Sequence, residues 1–169
     1  MDKNDLKPGH PLHTLIEEHE VILNFLRNLE DLNLFFQKSL AINKDNQELQ
    51  KLEDIAEHLI SAEPHHQREE EVLFPEIEKR GVLGPPEAMK QEHEILRGYK
   101  KELKNMVKNF DGKNLADFKK KLKEVSDNLV LMLREHISKE NDILYPLAFQ
   151  VIPEENLWQE IKNKCDKIG

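Results

Sequence analysis

Several features that decide the class of a protein are scarce or missing in this chain of 169 residues. Its single cysteine, Cys165, excludes an internal disulfide and a site built on thiolates, and it is typical of a reducing compartment. No apolar run approaches the ~20 residues of a membrane-spanning helix, and the first ten residues lack the apolar run of a signal peptide. We therefore expect a cytoplasmic protein with no membrane partner.

Glycine and proline are also few, at 6 and 8 residues, and strong helix formers dominate, so an all-helical fold is expected. Basic residues are outnumbered, with 25 Lys and Arg against 33 Asp and Glu. The resulting net charge of -8 argues against nucleic acid as a partner.

What the chain does contain is a repeat. HHQREEEVLFP, from His65 to Pro75, returns as HISKENDILYP, from His136 to Pro146. The two blocks share a first His, a Glu at the fifth position, a Leu at the ninth, an aromatic residue at the tenth and a final Pro. EHEVIL and EHEILR precede them and place His19 and His93 at equivalent points. The chain is thus two copies of one unit, a lone His followed by His-x-x-x-Glu.

Apolar residues spaced by three and four predict four long helices. The first runs from Pro11 to about residue 40, and the second carries the first block. Pro64 removes a backbone hydrogen bond in that second helix, so we expect a kink just before His65. The third helix is predicted over about 87–110, and the fourth has the most regular stripe, from Leu115 through Glu140 and Ile143 to Leu147.

Helices of this length joined by short turns predict an all-α, antiparallel up-down-up-down four-helix bundle. We expect one domain over residues 1–169, with a flexible arm or strap at 1–9 and the bundle at 10–150. A short fifth helix is predicted at 154–168.

A His and a Glu four residues apart on a helix can reach one point beside it. With one further His from each remaining helix, the bundle offers six candidate ligands: His19, His65, Glu69, His93, His136 and Glu140. Each alone is more typical of a hydrogen-bonded core residue or a solvated helix face. Together, four imidazoles and two carboxylates are costly to bury without a counter-charge, and a metal cluster removes that cost. Such ligands suit iron or manganese, with zinc possible.

A ferritin-like site is the nearest competitor, and it needs Glu-x-x-His on two helices. That spacing occurs once here, from Glu63 to His66. The competing site is therefore disfavoured.

The lone histidines and the two blocks resemble the hemerythrin-like HHE cation-binding domain over roughly residues 10–150. The segment 73–93 resembles a bacterial and archaeal branch of that family. The resemblance implies an oxo- or hydroxo-bridged di-iron site held by the six ligands above, with Glu69 and Glu140 as bridging carboxylates.

The chain also departs from the oxygen-carrying hemerythrins. They have a second His on the third helix where this chain has Arg97, and a bridging Asp on the fourth helix where it has Asn141. His66 is the first candidate for the missing imidazole, and a solvent-facing or non-ligating His66 is the alternative.

Neighbouring residues carry predictions of their own. His58 is expected to pack or hydrogen-bond within the core, whereas His10 and His13 are expected near one bundle end without binding metal. Glu70, with the Glu that follows it, is predicted on a solvated face. Tyr145 is predicted to pack near the site, with a hydrogen bond to a bound oxygen species as the alternative.

Three functions are compatible with these features. The leading one is a non-haem di-iron protein that binds dioxygen, or another small diatomic or peroxide ligand, for sensing, delivery or detoxification. The second is a di-iron redox enzyme acting on peroxide or nitric oxide, or in iron-sulfur repair. The third is a metal-stabilised interaction or iron-storage module, favoured by Trp158, which looks exposed, and by the lack of a catalytic group apart from the ligands.

Overall fold

The computed structural model describes residues 3–169 and contains only helices and turns over that range. After a short 3-10 turn at Lys3–Asp5, eight α-helices follow: α1 Pro11–Lys38, α2 Gln47–Ser61, α3 Glu63–Arg68, α4 Phe74–Glu78, α5 Gly84–Lys108, α6 Leu115–Lys139, α7 Tyr145–Val151 and α8 Glu155–Ile168. Single π-helical turns join α3 to α4 at Glu69–Leu73 and α6 to α7 at Glu140–Leu144. The predicted four long helical stretches and a short last helix are thereby confirmed.

The break in the second stretch lies slightly earlier than the predicted kink. The chain leaves the helix at Ala62, and Pro64 then occupies the first turn of α3. Proline is tolerated there because the N–H that it lacks would have no partner within the helix. His65 therefore lies in the first turn of a new helix, where its N–H donates to the Ala62 carbonyl at 3.1 Å.

The residues group into two compact units, with α1, α5 and α6 contributing to both. The first unit comprises 3–21, Ala62–Glu94 and Glu135–Gly169, and the second comprises Ile22–Ser61 and Ile95–Arg134. The first unit holds all the candidate ligands. Its apolar cluster includes Leu12, Phe74 and Ile77, and α8 adds Trp158 and Ile161 to the same cluster.

Trp158 corrects one expectation. Its side chain is only 6% exposed, and its indole N–H donates to the carbonyl of Ile152 at 2.9 Å. The tryptophan therefore packs α8 against the apolar cluster of the first unit and offers little exposed surface to a partner.

The second unit has an ordinary apolar interior in which antiparallel segments of α1 and α6 meet. The Phe36 and Phe118 rings pack edge to face at 5.6 Å, and Arg134 makes two hydrogen bonds to Glu30. His58 lies in this unit on the exposed side of α2, stacked on Phe25, so the prediction that it packs in the core was wrong.

The predicted arm at 1–9 lies partly outside the described residues. Within the described part, Leu6 is 7% exposed and belongs to the apolar cluster of the first unit. No helix within 3–169 has the length and apolar composition to cross a bilayer.

Candidate metal centre

The candidate ligands come from every long helical stretch and converge in the first unit. Each is at most 3% exposed: His19 on α1, His65 and His66 on α3, Glu69 and Glu140 at the start of the two π-helical turns, His93 on α5 and His136 on α6. Donor atoms of these residues fall into three groups of three, within which all atoms lie within 4.8 Å of one another.

Both glutamates owe their positions to the same local geometry. Phe74 N–H donates to the carbonyl of Glu69, and Tyr145 N–H donates to that of Glu140, so each turn is one residue wider than an α-turn. The next residue in each block is proline, which has no N–H for the α-helical bond and clashes with the carbonyl four residues earlier. The two blocks share this spacing of Glu and Pro, and both form a π-turn at the same place.

The wider turn also explains an error in the predicted stripe. Spacings of three and four placed Ile143 on the buried side of the fourth stretch, but it is 57% exposed. The extra residue carries the buried side to Leu144, Tyr145 and Ala148 instead.

Imidazole nitrogens meet in pairs at the centre. Nε2 of His19 lies 3.0 Å from Nε2 of His65, and the equivalent atoms of His93 and His136 lie 2.9 Å apart. The Glu140 carboxylate lies between the pairs, with Oε2 3.1 Å from His19 and Oε1 2.9 Å from His136.

Glu69 lies in the same cluster, with a donor oxygen within 4.8 Å of donors of His93 and Glu140. Its Oε2 is 3.6 Å from Nε2 of His65 and 3.5 Å from Nε2 of His93. Both carboxylates therefore touch imidazoles from both copies of the repeat.

The outer nitrogen of each of these four rings has a polar partner. Nδ1 of His65 lies 2.8 Å from Glu18, that of His136 lies 2.8 Å from Glu92, and that of His93 lies 2.6 Å from Glu70. Carboxylate oxygens only accept, so in the neutral rings Nδ1 carries the proton and Nε2 presents a lone pair to the centre.

The fourth ring follows the same pattern with an amide in place of a carboxylate. Nδ1 of His19 lies 2.9 Å from Oδ1 of Asn141, the residue that stands at the family's bridging-Asp position. Because a carboxamide oxygen also accepts, it fixes the same tautomer. Asn141 thus orients the His19 ring, as the outer glutamates orient the other three rings.

Two cations hold the outer glutamates in place. Arg68 donates to Glu18 at 2.6 Å, and Lys139 pairs with Glu92. Arg68 and Lys139 are each the fourth residue of their block, so the two copies of the repeat also match in the cations that hold the outer glutamates.

His66 lies inside the cluster and not on the surface, with 2% exposure. Its ring stacks on that of His93, with centroids 3.9 Å apart and planes 14° from parallel. One of its nitrogens groups with donors of His93 and His136 within 4.8 Å. The solvent-facing alternative for His66 was therefore wrong, and its ligation stays a prediction.

Tyr145 does more than fill space. Its ring is stacked on His19, 5.6 Å away and nearly parallel, and its hydroxyl donates to Oε1 of Glu69 at 2.7 Å. The predicted packing was correct but incomplete, because the hydroxyl points at a candidate ligand.

Burial and neighbouring charge set the protonation of the centre. Burial and the adjacent Glu140 raise the pKa of Glu69 well above its usual range. Burial also raises the pKa of Glu140, but the surrounding imidazoles, His136 foremost, outweigh it and hold that pKa well below its usual range. Burial lowers the pKa of His65 to about 4, whereas for His136 burial is outweighed by Glu140 and Glu92, and the pKa rises.

The donor set fits divalent or trivalent cations. Oε2 of Glu69 and both oxygens of Glu140 are buried and accept no hydrogen bond, although imidazole nitrogens surround them. When the rings are neutral, those nitrogens present lone pairs and acceptor faces acceptor. A proton on His136 relieves this arrangement at Glu140, and bound cations would relieve it throughout the cluster. The residues present therefore suit a metal cluster of nitrogen and oxygen ligands.

Other predicted neighbours lie outside this cluster. His10 contacts Trp158, and His13 lies 3.4 Å from Glu17, so neither joins the donor groups. The prediction that Glu70 faces solvent was wrong, because it is the hydrogen-bond partner of His93.

The residues that sequence reasoning overlooked are the outer partners. The repeat contained a signal for them, since Glu18 and Glu92 precede the two lone histidines and are identical in the two copies. Asn141 had no such signal, because its counterpart in the first block, Glu70, differs in kind.

Comparison with known protein families supports this picture. The family model described as the hemerythrin HHE cation binding domain matches residues 10–148. The comparison with curated proteins gives no match.

Proposed function

The chain belongs to the hemerythrin HHE cation-binding domain family, and from this premise we propose that it is a non-haem di-iron protein that binds dioxygen or a related small molecule. A metal-binding helical domain is what membership of the family implies. The observation that carries the finer proposal is the buried cluster of inward lone pairs on four imidazoles and two carboxylates.

Two sets of residues would hold the cations. His19 and His65 form one set, and His66, His93 and His136 form the other, while Glu69 and Glu140 contact both. Iron held there would supply one-electron redox chemistry and a Lewis-acidic centre for dioxygen, another diatomic molecule or peroxide.

The chain's own residues orient the donors and restrict water. Outer hydrogen bonds fix the imidazoles of His19, His65, His93 and His136 with Nε2 inward, which removes the cost of ordering these rings when a cation binds. Leu73, Phe74 and Leu144 are at most 1% exposed and form part of the apolar surroundings. Low local polarity strengthens electrostatic interactions among the donors.

Iron is preferred to zinc or manganese as the resident metal. Mixed imidazole and carboxylate donors accept all three, and the family resemblance decides the preference. We also place the protein in the cytoplasm, where a chain with one free cysteine is stable without disulfides.

The direct test is metal analysis of anaerobically prepared protein, followed by admission of oxygen. We expect about two iron ions per chain and a visible ligand-to-metal band on oxidation. Less than about one ion per chain, or a colourless oxidised protein, would refute the proposal.

His66→Ala, compared with His58→Ala, tests the ligand set. Loss of the His66 imidazole is expected to lower iron retention against a chelator by about tenfold or more, whereas His58 lies on an exposed helix face and its loss is expected to change nothing. Equal retention by the two variants would remove His66 from the proposed ligands.

A redox enzyme on the same site is the second candidate. The Tyr145 hydroxyl favours it, as a proton-carrying group beside the ligands. Turnover assays with peroxide and with nitric oxide distinguish it from a binding protein. The interaction-module alternative loses its main support, because Trp158 is buried.

A further inference from the structure

His10 joins the start of α1 to aromatic residues of α7 and α8. Its carbonyl accepts the N–H of Thr14 at 3.2 Å, and its Nδ1 accepts the N–H of Leu12 at 3.2 Å, so His10 is the N-cap of α1. The centroid of its ring lies 4.5 Å from that of Trp158 and 5.9 Å from that of Phe149. One imidazole thus caps a long helix and contacts two aromatic rings of other helices.

This position suits only the neutral ring of His10. Because the N–H of Leu12 donates to Nδ1, the ring proton lies on Nε2, which is buried with no hydrogen-bond partner among residues 3–169. A second proton would have to bind Nδ1, where it would face the N–H of Leu12 and abolish the cap. It would also place a positive charge at a helix N-terminus, where the helix dipole disfavours cations.

The charged groups around His10 do not offset this cost. Burial lowers the pKa of His10, and the nearby imidazole of His13 on α1 lowers it further. Asp5 and Glu155 supply carboxylates from the preceding segment and from α8, but both are exposed and neither hydrogen-bonds His10. Glu155 pairs instead with Lys7 at 3.3 Å.

The segment before His10 lies beside a cleft in the first unit. Leu6 is 7% exposed and belongs to the apolar cluster, and the cleft has a volume of about 530 Å³, with Phe149, Ile152 and Trp158 in its lining. The ion pair of Lys7 with Glu155 is almost fully exposed and contributes little to holding the segment in place. The cap and ring contacts of His10 therefore matter most among its polar attachments.

We propose that residues 3–10 form a pH-sensitive strap: protonation of His10 breaks its cap of α1 and its aromatic contacts, and the strap opens to expose Trp158 and the cleft. The closed form is stable above the ordinary histidine pKa of 6.5 and is lost as pH falls below it. His10 belongs to none of the donor groups, so the inference is independent of the proposed function.

The experiment follows two local signals at about pH 7.5 and about pH 5. Trp158 is the only tryptophan, so quenching of its fluorescence by acrylamide reports its exposure. Hydrogen exchange of the Leu12 amide, expressed as a protection factor, reports the cap. In the wild type we expect quenching to rise about fivefold at the lower pH and protection of the Leu12 amide to fall about tenfold.

Two variants separate His10 from its neighbour. His10→Asn keeps a capping oxygen for the N–H of Leu12 but cannot titrate, so both signals are expected to be independent of pH, whatever the level of Trp158 exposure. His13→Asn is the matched control. It keeps the titrating ring of His10 and removes the imidazole that lowers its pKa, so opening is expected at a higher pH than in the wild type.

Three results would overturn the strap. The first is a wild type whose two signals do not change with pH, and the second is a His10→Asn protein that opens on acidification as the wild type does. The third is an equal loss of protection in α2 of the second unit, since acid would then unfold the whole chain and not a local segment. Circular dichroism at both pH values checks that each variant keeps its helices.

Discussion

Glu18 and Glu92 act on the candidate ligands without entering the donor groups. Each accepts a hydrogen bond from a histidine of a different helix, and each is held by a cation from the same block as that histidine. The arrangement fixes the tautomer and the direction of each ring.

Replacing Glu18 by Ala is expected to weaken iron binding by about 10- to 100-fold, because His65 loses its acceptor and Arg68 loses its partner. Competition with a chelator of known affinity measures the change. Glu17→Ala is the control, since Glu17 is the neighbouring exposed carboxylate and pairs with His13, and neither residue belongs to the donor groups. Equal effects at 17 and 18 would show that net charge, not the hydrogen bond, matters.

His65 predicts a pH dependence for the metal-free protein. Burial lowers its pKa in the folded protein to about 4, from the ordinary histidine value of 6.5, so between these values the folded state binds fewer protons than the unfolded state. The resulting stability is present above about pH 6.5 and is lost as pH falls toward 4.

Between about pH 7 and about pH 5 this group should lower the free energy of unfolding by about 2 kcal/mol. Urea unfolding of metal-free wild type and His65→Gln at both pH values measures the difference. The variant lacks the titrating ring, so its profile is expected to be flatter. Parallel profiles would mean that His65 does not carry the effect.

At the scale of elements, the π-turns decide where the buried side of each stretch continues. A five-residue step from Glu140 to Tyr145 places Tyr145 inward and Ile143 outward. Regular helical periodicity predicts that Ile143 is buried. Within the sequence, only Pro146 indicates that this periodicity is interrupted.

The last helix, α8, offers a separate test. Cys165 lies on its buried side at 8% exposure, and burial raises the thiol pKa to about 11. The reactive thiolate is therefore scarce while α8 is docked. We expect the native protein to react with iodoacetamide at least about tenfold more slowly than the urea-unfolded chain.

Trp158→Ala should raise the native rate, because removal of a buried tryptophan side chain costs about 3–5 kcal/mol of packing. Substitution of Trp158 with no gain in thiol reactivity would show that α8 docks by other contacts.

At the scale of the whole molecule, the chain belongs to the HHE cation-binding family, and the complete donor set lies within one of its two compact units. The second unit has an apolar interior with no candidate ligand. Metal binding should therefore stabilise the two units unequally.

Hydrogen exchange with and without bound Fe²⁺ tests this expectation. Amides of α3, α4 and α7 in the first unit are expected to be protected on metal loading by about tenfold or more, because the ligand-bearing segments become cross-linked. Amides of α2 in the second unit are expected to change less. Equal protection throughout would indicate one cooperative unit.

The sequence by itself determined the helical class and most of the donor set. Helical periodicity and the His-x-x-x-Glu spacing are local properties, and the internal repeat selected His65 and Glu69 from adjacent histidines and a run of glutamates. Agreement between the two copies supplied information that a single copy lacks.

Only the tertiary structure decided which groups meet across helices. The burial of His66 and Trp158, the pairing of Glu70 with His93, and the hydrogen bond from Tyr145 to Glu69 all depend on helix rotation and neighbours. One residue inserted by a π-turn rotates everything after it by roughly a quarter turn. For that reason, spacing along the chain specified what the site contains, and packing specified how its members are held.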